Sequence, residues 1–503
     1  MPQKSYTITT PIYYINDKPH IGHAYTTIIA DIFTRYHRMK GEDAFFLTGT
    51  DENSQGSLDA ALKSGETDIQ RFIDAQSALW RSTWDSLDIL YTDFIRTTEE
   101  RHKQGVKKFF LAVHEKGDIY KGTYTGLYCT GCEAFVRESD LVNGNCPNHP
   151  CPPQEIKEEN YFFKLTSYRD RLLEHIDAHP DFIQPVSRRN EIRNYIEHHM
   201  EDISISRQSA KWGIPIPIDE SQVIYVWFDA LINYLTGVGY GWNDELFGKH
   251  WPADMHVVGK DIIKFHCALW PAMLMAAGLP LPKRVFAHGF FTIDGHKMGK
   301  SMGNAIDPVA LAQSYGNDVL RYFLAREIPF GSDGDFSFSR LKERYTADLA
   351  KGLGNFTSRV ATMASREYNS ASPVSLDSEA KDAIGECWNE WTHAMEEYHP
   401  DEALSEVWNL ISFGDKYIEQ QKPWALSKSD KARYTAVIQT LVEVLRHISV
   451  MVYPFMPKTA EKIWEQLGIG EQQRSLTCEQ SRTISSVPIE HITKSESLFP
   501  PLP

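Results

Sequence analysis

Two histidines and two lysines carry the clearest chemical signal in the 503-residue chain. His20 and His23 flank Ile21-Gly22, just after a strand-like run and at the head of a helix-like one. A helix start gathers N–H groups and partial positive charge, so it favours phosphate. Gly22 lets a nucleotide approach the backbone, and two imidazoles can hydrogen-bond charge that develops on a transferring phosphoryl group. Lys297 and Lys300 stand three apart in His296-Lys297-Met298-Gly299-Lys300-Ser301. From such a glycine-rich turn both ammonium groups can reach a triphosphate. Either motif alone would suit a capped helix or a solvated basic turn. Together, in this order, they point to a nucleotide clamp.

A third set reads as metal ligands. Cys129 and Cys132 have two residues between them, as do Cys146 and His149. That spacing is the spacing of a tetrahedral zinc knuckle, and Cys151 offers an alternative fourth ligand. Four protein ligands leave no position for water, so the zinc is expected to be structural, and a zinc hydrolase is excluded. Cys267, Cys387 and Cys478 are left as inert thiols.

Elements able to position these groups are visible in the patterning. Ser5–Ile15 reads as a buried strand, His20–Lys40 has a helical period, and Ala44–Thr48 is a second strand. Strand–helix–strand at this spacing is a βαβ unit, which argues for a parallel, doubly wound sheet with ligands at the strand C-termini. Lys121–Glu158 turns dense in Gly, Cys, Pro and Asn, as an insertion would. Sheet-like runs return at Val223–Trp227, Met255–Val258 and Val285–Ala287, and a loop-rich segment follows from Phe290 to about Ser339. From Leu341 apolar residues recur every three or four positions, which predicts a helical bundle. Within it, Asn355 and Arg359 share a helix face and Pro423-Trp424 sits at a helix break. Splayed RNA bases are read by such aromatics and polar edges. The polar stretch from about Gly470 is expected to be loosely held.

The paired motifs resemble the HIGH and KMSKS signatures of class I aminoacyl-tRNA synthetases, with Gly299 in place of the middle Ser. Three further stretches resemble the methionyl branch of that family: Thr10-Pro11-Ile12-Tyr13-Tyr14, Val226 to Tyr234, and Gly259 to His266. The resemblance implies that Ile12, Tyr14, Trp227, Ala230, Tyr234, Ile262 and His266 line a methionine side-chain pocket and that Asp51 holds the ammonium. A thioether does favour polarizable aromatic neighbours. It also implies that His20, Gly22, His23, Lys260, Lys297 and Lys300 bind ATP, with Arg207 beside the phosphates. Within that set His20, His23, Lys297 and Lys300 are the catalytic residues. His149 becomes the fourth zinc ligand, Mg²⁺ accompanies ATP, and Asn355, Arg359, Pro423 and Trp424 meet the anticodon of tRNA(Met). The activity implied is a ligase that forms methionyl-adenylate and passes it to the 3′ adenosine of tRNA. Two positions depart from the branch: Leu231 stands where Pro is frequent and Asn53 where His is frequent. The insertion from about Gly117 to Glu220 is too short for a zinc knuckle and an editing domain, which argues against a leucine, isoleucine or valine enzyme.

The expected organisation is α/β, a doubly wound Rossmann-like parallel sheet split by a zinc-knuckle insertion and followed by an α-helical bundle. Its segments are the two catalytic halves 1–116 and 223–290, the connective insertion 117–222, the KMSKS loop and stem-contact connector 291–346, the anticodon-binding bundle 347–470 and the tail 471–503. Composition fits an ordinary globular chain, 42% apolar and 24% charged. Its net charge of −15 excludes coating of nucleic acid by bulk charge, DNA included. From Asp348 onward 15 basic face 22 acidic residues, so RNA contact there must rest on placed groups. No run of about 18 apolar residues suggests a membrane span, and no targeting segment is seen. A cytoplasmic monomer is expected.

Overall fold

A computed structural model describes residues 3–129, 134–136, 138–147, 151–208, 210–297, 304–367, 376–489, 491–494 and 496–502. The chain forms two compact units, one of residues 5–30 and 44–288, the other of 1–4, 31–43 and 289–503.

The first unit opens with β1 (Ser5–Tyr14), the part of α1 (Ile21–Met39) up to Ala30, β2 (Asp43–Asp51) from Ala44, α2 (Gln55–Ser64), α3 (Ile69–Ser86), β3 (Asp93–Arg96) and α4 (Glu100–Glu115). An insertion follows: β4 (Ile119–Cys129), β5 (Ala134–Val136), β6 (Gln154–Phe163), α5 (Arg169–Ala178), β7 (Ile183–Gln184), α6 (Val186–His198), β8 (Ile203–Ser204), β9 (Ser206–Arg207), β10 (Pro215–Ile216) and β11 (Asp219–Ile224). The unit closes with α7 (Val226–Leu231), α8 (Asn233–Thr236), α9 (Asp244–His250), β12 (Met255–Gly259), α10 (Trp270–Ala277) and β13 (Val285–His288). Six strands make one sheet in the order β3-β2-β1-β12-β13-β7. The pairs β2–β3, β1–β12, β12–β13 and β13–β7 are parallel. Ile8 lies opposite Met255 and Thr9 opposite His256. Chain order reverses between β1 and β12, and a crevice opens at the C-terminal ends of strands at such a switch point.

The βαβ start follows the patterning closely. β2 is buried at all but its first residue, which is why Ala44–Leu47 runs apolar without alternation. The run Val223–Trp227 differs. β11 stops at Ile224, α7 begins at Val226, and β11 pairs antiparallel with β9 and β10 in a small sheet of its own. Short, wholly apolar runs announce burial and leave the period undetermined.

The second unit continues with β14 (Phe291–Ile293), β15 (His296–Lys297), α11 (Pro308–Tyr315), α12 (Asn317–Glu327), β16 (Gly334–Phe336) and α13 (Phe338–Arg344). The segment expected to be loop-rich thus holds two helices and a three-stranded sheet. A π-helical stretch (Tyr345–Gly354) leads into α14 (Asn355–Glu367), α15 (Ser378–Glu396), α16 (Pro400–Gln421), α17 (Pro423–Ser429), α18 (Lys431–Val452), α19 (Pro457–Gln466), α20 (Gly470–Arg474) and α21 (Cys478–Arg482). By length and composition α18 could cross a bilayer. It is instead the bundle's central helix, buried on nearly every side and carrying Glu443, Arg446 and His447 inside.

Arg446 also ties down the tail. Its guanidinium donates to Glu443 Oε1, Ser481 O and Thr483 O, while Ser485 N–H donates to Glu443 Oε1. Val487, Ile489, Ile492 and Phe499 are buried. Among the described residues the stretch after Gly470 is therefore packed, contrary to the loose hold expected of a polar sequence. The groups that Arg446 grips at Ser481 and Thr483 are backbone carbonyls, which leave no trace in residue type.

Candidate functional site

His20 and His23 build the start of α1. His20 O accepts from Ala24 N–H, which makes His20 the N-cap. Its Nδ1 accepts from Gly22 N–H at 3.1 Å, and His23 Nδ1 accepts from His20 N–H at 3.3 Å. This is a reciprocal capping box made from imidazoles, and it uses the Gly22 N–H for the cap itself. With both Nδ1 atoms accepting, each neutral ring carries its proton on Nε2. The rings stack at 3.7 Å. Behind them Tyr13 stacks on Trp80 at 4.9 Å, and Trp80 Nε1–H holds the carbonyl of Asp17 in the approach to α1. Burial raises the Tyr13 phenol to about 12, so it stays neutral while it hydrogen-bonds to Thr27 at 2.8 Å. Neither Tyr13 nor Trp80 was assigned a role from sequence. Trp80 comes from α3, far along the chain from any motif.

The stretches expected to form the methionine pocket do converge. Tyr14 meets Trp227 edge-on at 6.5 Å, and Trp227 lies flat on Phe265 at 3.9 Å, within 3° of parallel. Ile12, Trp227, Ile262 and Phe265 are partly buried against the core of the unit. Ala230 follows Trp227 by one turn of α7 and is buried. His266 Nδ1–H donates to Ile262 O at 3.0 Å, so Nε2 accepts, and Tyr234 donates its hydroxyl to it at 2.7 Å. Phe265 belongs to the slot although only its neighbours were assigned to it. Asp51, the last residue of β2, is buried at 3% exposure. Beside it the Glu52 carboxylate accepts from Thr50, Arg96 and Thr98.

Burial holds His266 down at about 4, against a weaker upward pull from the Ile262 carbonyl. The neutral, Tyr-accepting form therefore persists through the physiological range. The unfolded chain binds this proton near pH 6.5 and the folded chain near 4, so the contribution is complete above 6.5 and is lost as pH falls between these values. The loss reaches about 3 kcal/mol. Urea unfolding of a His266→Gln variant between pH 7 and 4.5 is expected to show a shallower acid slope, by up to one proton. An unchanged slope would contradict the assignment.

Lys260 lies in the turn after β12. Arg207 serves the insertion's own packing: it is buried at 7%, sits over the Tyr225 ring at 4.2 Å, and donates to Ser204 Oγ and Ser206 O. In the second unit, Lys297 ends a two-residue hairpin. Asp294 and Gly295 turn with φ of 48° and 78°, as a type I′ turn requires, and Thr292 pairs with Lys297. Asp335 Oδ1 fixes the turn by accepting from Gly295 N–H at 2.8 Å. Lys300 and Gly299 lie outside the described residues.

Cys129 and Cys146 are buried and Cys151 is half-buried, with Cys146 N–H donating to Cys151 O. Cys132 and His149 lie outside the described residues, and among the described residues no three His, Cys, Asp or Glu cluster as a metal would need. Two buried thiols are donors of the right softness for zinc.

In the bundle, Arg359 donates to Asp415 at 3.0 Å and Glu419 at 2.7 Å, and Trp424 is 52% exposed. Arg359 and Trp424 line a recess of about 270 Å³ with Ser358, Thr362, Met363 and Ile418. Lys422, at φ 48°, turns the chain between α16 and α17, and buried Pro423 seats Trp424 at the helix start. Asn355 is exposed at the head of α14, outside that recess.

A family model of class I tRNA synthetases (M) matches residues 6–155 and 149–361, and one of the anticodon-binding domain of tRNA ligases matches 383–496. The methionine–tRNA ligase of Caldanaerobacter subterraneus is 48% identical over 93% of this chain and 75% of its own. That of Thermotoga maritima is 46% identical over 92% and 75%. Mycobacterium tuberculosis methionyl-tRNA synthetase, solved in complex with methionyl-adenylate, superposes with a TM-score of 0.93 at 37% identity, covering 99% of this chain and all of that one. The chain belongs to the methionine–tRNA ligase family of class I tRNA synthetases.

Proposed function

We propose that the chain activates methionine with ATP to methionyl-adenylate and transfers the methionyl group to the 3′ adenosine of tRNA(Met). The observation that carries this reading is the aromatic slot of Tyr14, Trp227, Phe265 and the Tyr234–His266 pair, in the unit whose β2 ends at buried Asp51. An aromatic slot whose Tyr234 hydroxyl and His266 ring are already paired suits a thioether, which offers only a weak acceptor. Asp51 would hold the ammonium. His20 and His23, with protons on Nε2, would donate to phosphate oxygens as charge builds on the α-phosphate, and Lys260, Lys297 and Lys300 would add positive charge. Mg²⁺ would travel with ATP. No side chain need act as nucleophile, because the methionine carboxylate attacks. Positioning and electrostatics carry the rate.

Cys129, Cys132, Cys146 and His149, or Cys151 in place of His149, would hold a structural zinc in the insertion. The enzyme would act in the cytoplasm as a monomer. Pyrophosphate exchange with each of the twenty amino acids tests the reading. Exchange with methionine is expected; exchange with leucine alone, or with none, would overturn it.

In the bundle, Trp424 would stack on an anticodon base, while Arg359 and Asn355 would read base edges and Pro423 would support the turn. The carboxylates of Asp415 and Glu419 hold Arg359 in one orientation. Stacking on an aromatic is worth about 1–3 kcal/mol per base. Trp424→Ala is therefore expected to lower kcat/KM for tRNA by roughly 5–150-fold, with methionine-dependent exchange unchanged. Equal loss in both assays would place Trp424 in the fold and not at the RNA.

A further inference from the structure

Behind the aromatic slot lies a buried polar chain that the proposed chemistry does not use. The Asp229 carboxylate, fully buried, accepts from His102 Nε2–H on Oδ1 at 2.8 Å and from Asn53 Nδ2–H on Oδ2 at 2.8 Å. Asn53 Nδ2 also donates to Thr97 O at 3.1 Å. The other nitrogen of His102 meets Thr236 Oγ1 at 2.8 Å, and His102 and Thr236 are as buried as Asp229. The helices that carry this chain touch closely: a Cβ on Gly105, one turn after His102, would come within 2.3 Å of the Thr236 methyl. The imidazole therefore has little room to move.

Sequence neighbours give these contacts their meaning. Asn53 lies two residues after Asp51 at the end of β2, and Asp229 lies two residues after Trp227 and one before Ala230 on α7. The Asn53–Asp229 hydrogen bond thus joins the segment that would hold the ammonium to the helix that walls the side chain. His102 on α4, itself met by Thr236 on α8, holds α7 from behind. We propose that Asp229, gripped by Asn53 and His102, is a positioning residue that sets the span between ammonium anchor and aromatic wall, and so the side-chain length the site accepts. The proposal rests on the reading of the slot as a methionine site. It also gives the departure at Asn53 a purpose: an amide donates to Thr97 O and to Asp229 from a single nitrogen.

Asn53→Asp keeps the shape and sets one carboxylate against another, and Asn53→Ser removes the amide and shortens the side chain. Pyrophosphate exchange is measured on enzyme normalised by active-site titration, with methionine, with ethionine (one methylene longer) and with varied ATP. Exchange by the unaltered enzyme with methionine checks the underlying reading separately. For either variant, KM for methionine is expected to rise about tenfold, the size of losing a hydrogen bond to a charged group. KM for ATP should stay within about twofold. The preference for methionine over ethionine, of the size one methylene supports, should fall by about fivefold or more. A parallel rise in both KM values, or an unchanged preference, would overturn the proposal. So would failure of both variants to fold, which would assign the chain of hydrogen bonds to stability alone.

Discussion

Asp51→Asn is expected to raise KM for methionine by about 10²–10³-fold and to leave KM for ATP near its starting value. The magnitude follows from burial. Asp51 is almost wholly removed from solvent, at the end of a strand buried at all but its first residue. An ammonium paired there gains more than at a surface, and truncating one partner of a buried charge pair costs about 2–5 kcal/mol. Asn keeps the volume and one acceptor but not the charge. Steady-state exchange and equilibrium binding of methionine both read the effect. A rise under about threefold would move the ammonium site elsewhere along the sheet edge.

Lys297→Ala is expected to slow adenylate formation by about 10²–10³-fold, the cost of removing one preorganised charge stabiliser. The hairpin makes this a focused test. Lys297 is the last strand residue before the glycine-rich segment, and its backbone is held by pairing with Thr292 and by the Asp335 carboxylate under the turn. Substitution at its side chain leaves that support in place. Rapid-quench measurement of adenylate at saturating methionine separates the chemical step from binding. A loss under about threefold would take Lys297 out of the phosphate clamp.

Much of the architecture was legible because local signals agreed. β1, α1 and β2 each show the right period, length and flanking polar turn, and the helices around Leu404 and Tyr434 repeat every three or four residues. α7 was not legible: Val223 to Trp227 is uniformly apolar, and the change from strand to helix after Ile224 comes from tertiary contacts. In the site, His20, His23, Trp227, Tyr234 and His266 stood out through the motifs around them. Trp80, Phe265 and His102 did not, because a supporting residue is defined by what it touches. His102 on α4 is indistinguishable in sequence from any core histidine. Its pairing with Asp229, 127 residues away, exists only once the sheet has closed.

The Arg446 anchor bears on the order in which this protein can be made. Its acceptors at Ser481 and Thr483 are translated 35 and 37 residues later. At about 5–20 residues per second, a ribosome needs roughly 2–7 s to supply them. Throughout that interval a closed bundle would enclose a guanidinium with part of its partner set missing, a costly state. The bundle therefore consolidates only after the segment through Thr483 has been made. A chain stalled just short of Ser481 should leave it open, hence a substrate for chaperones and proteases.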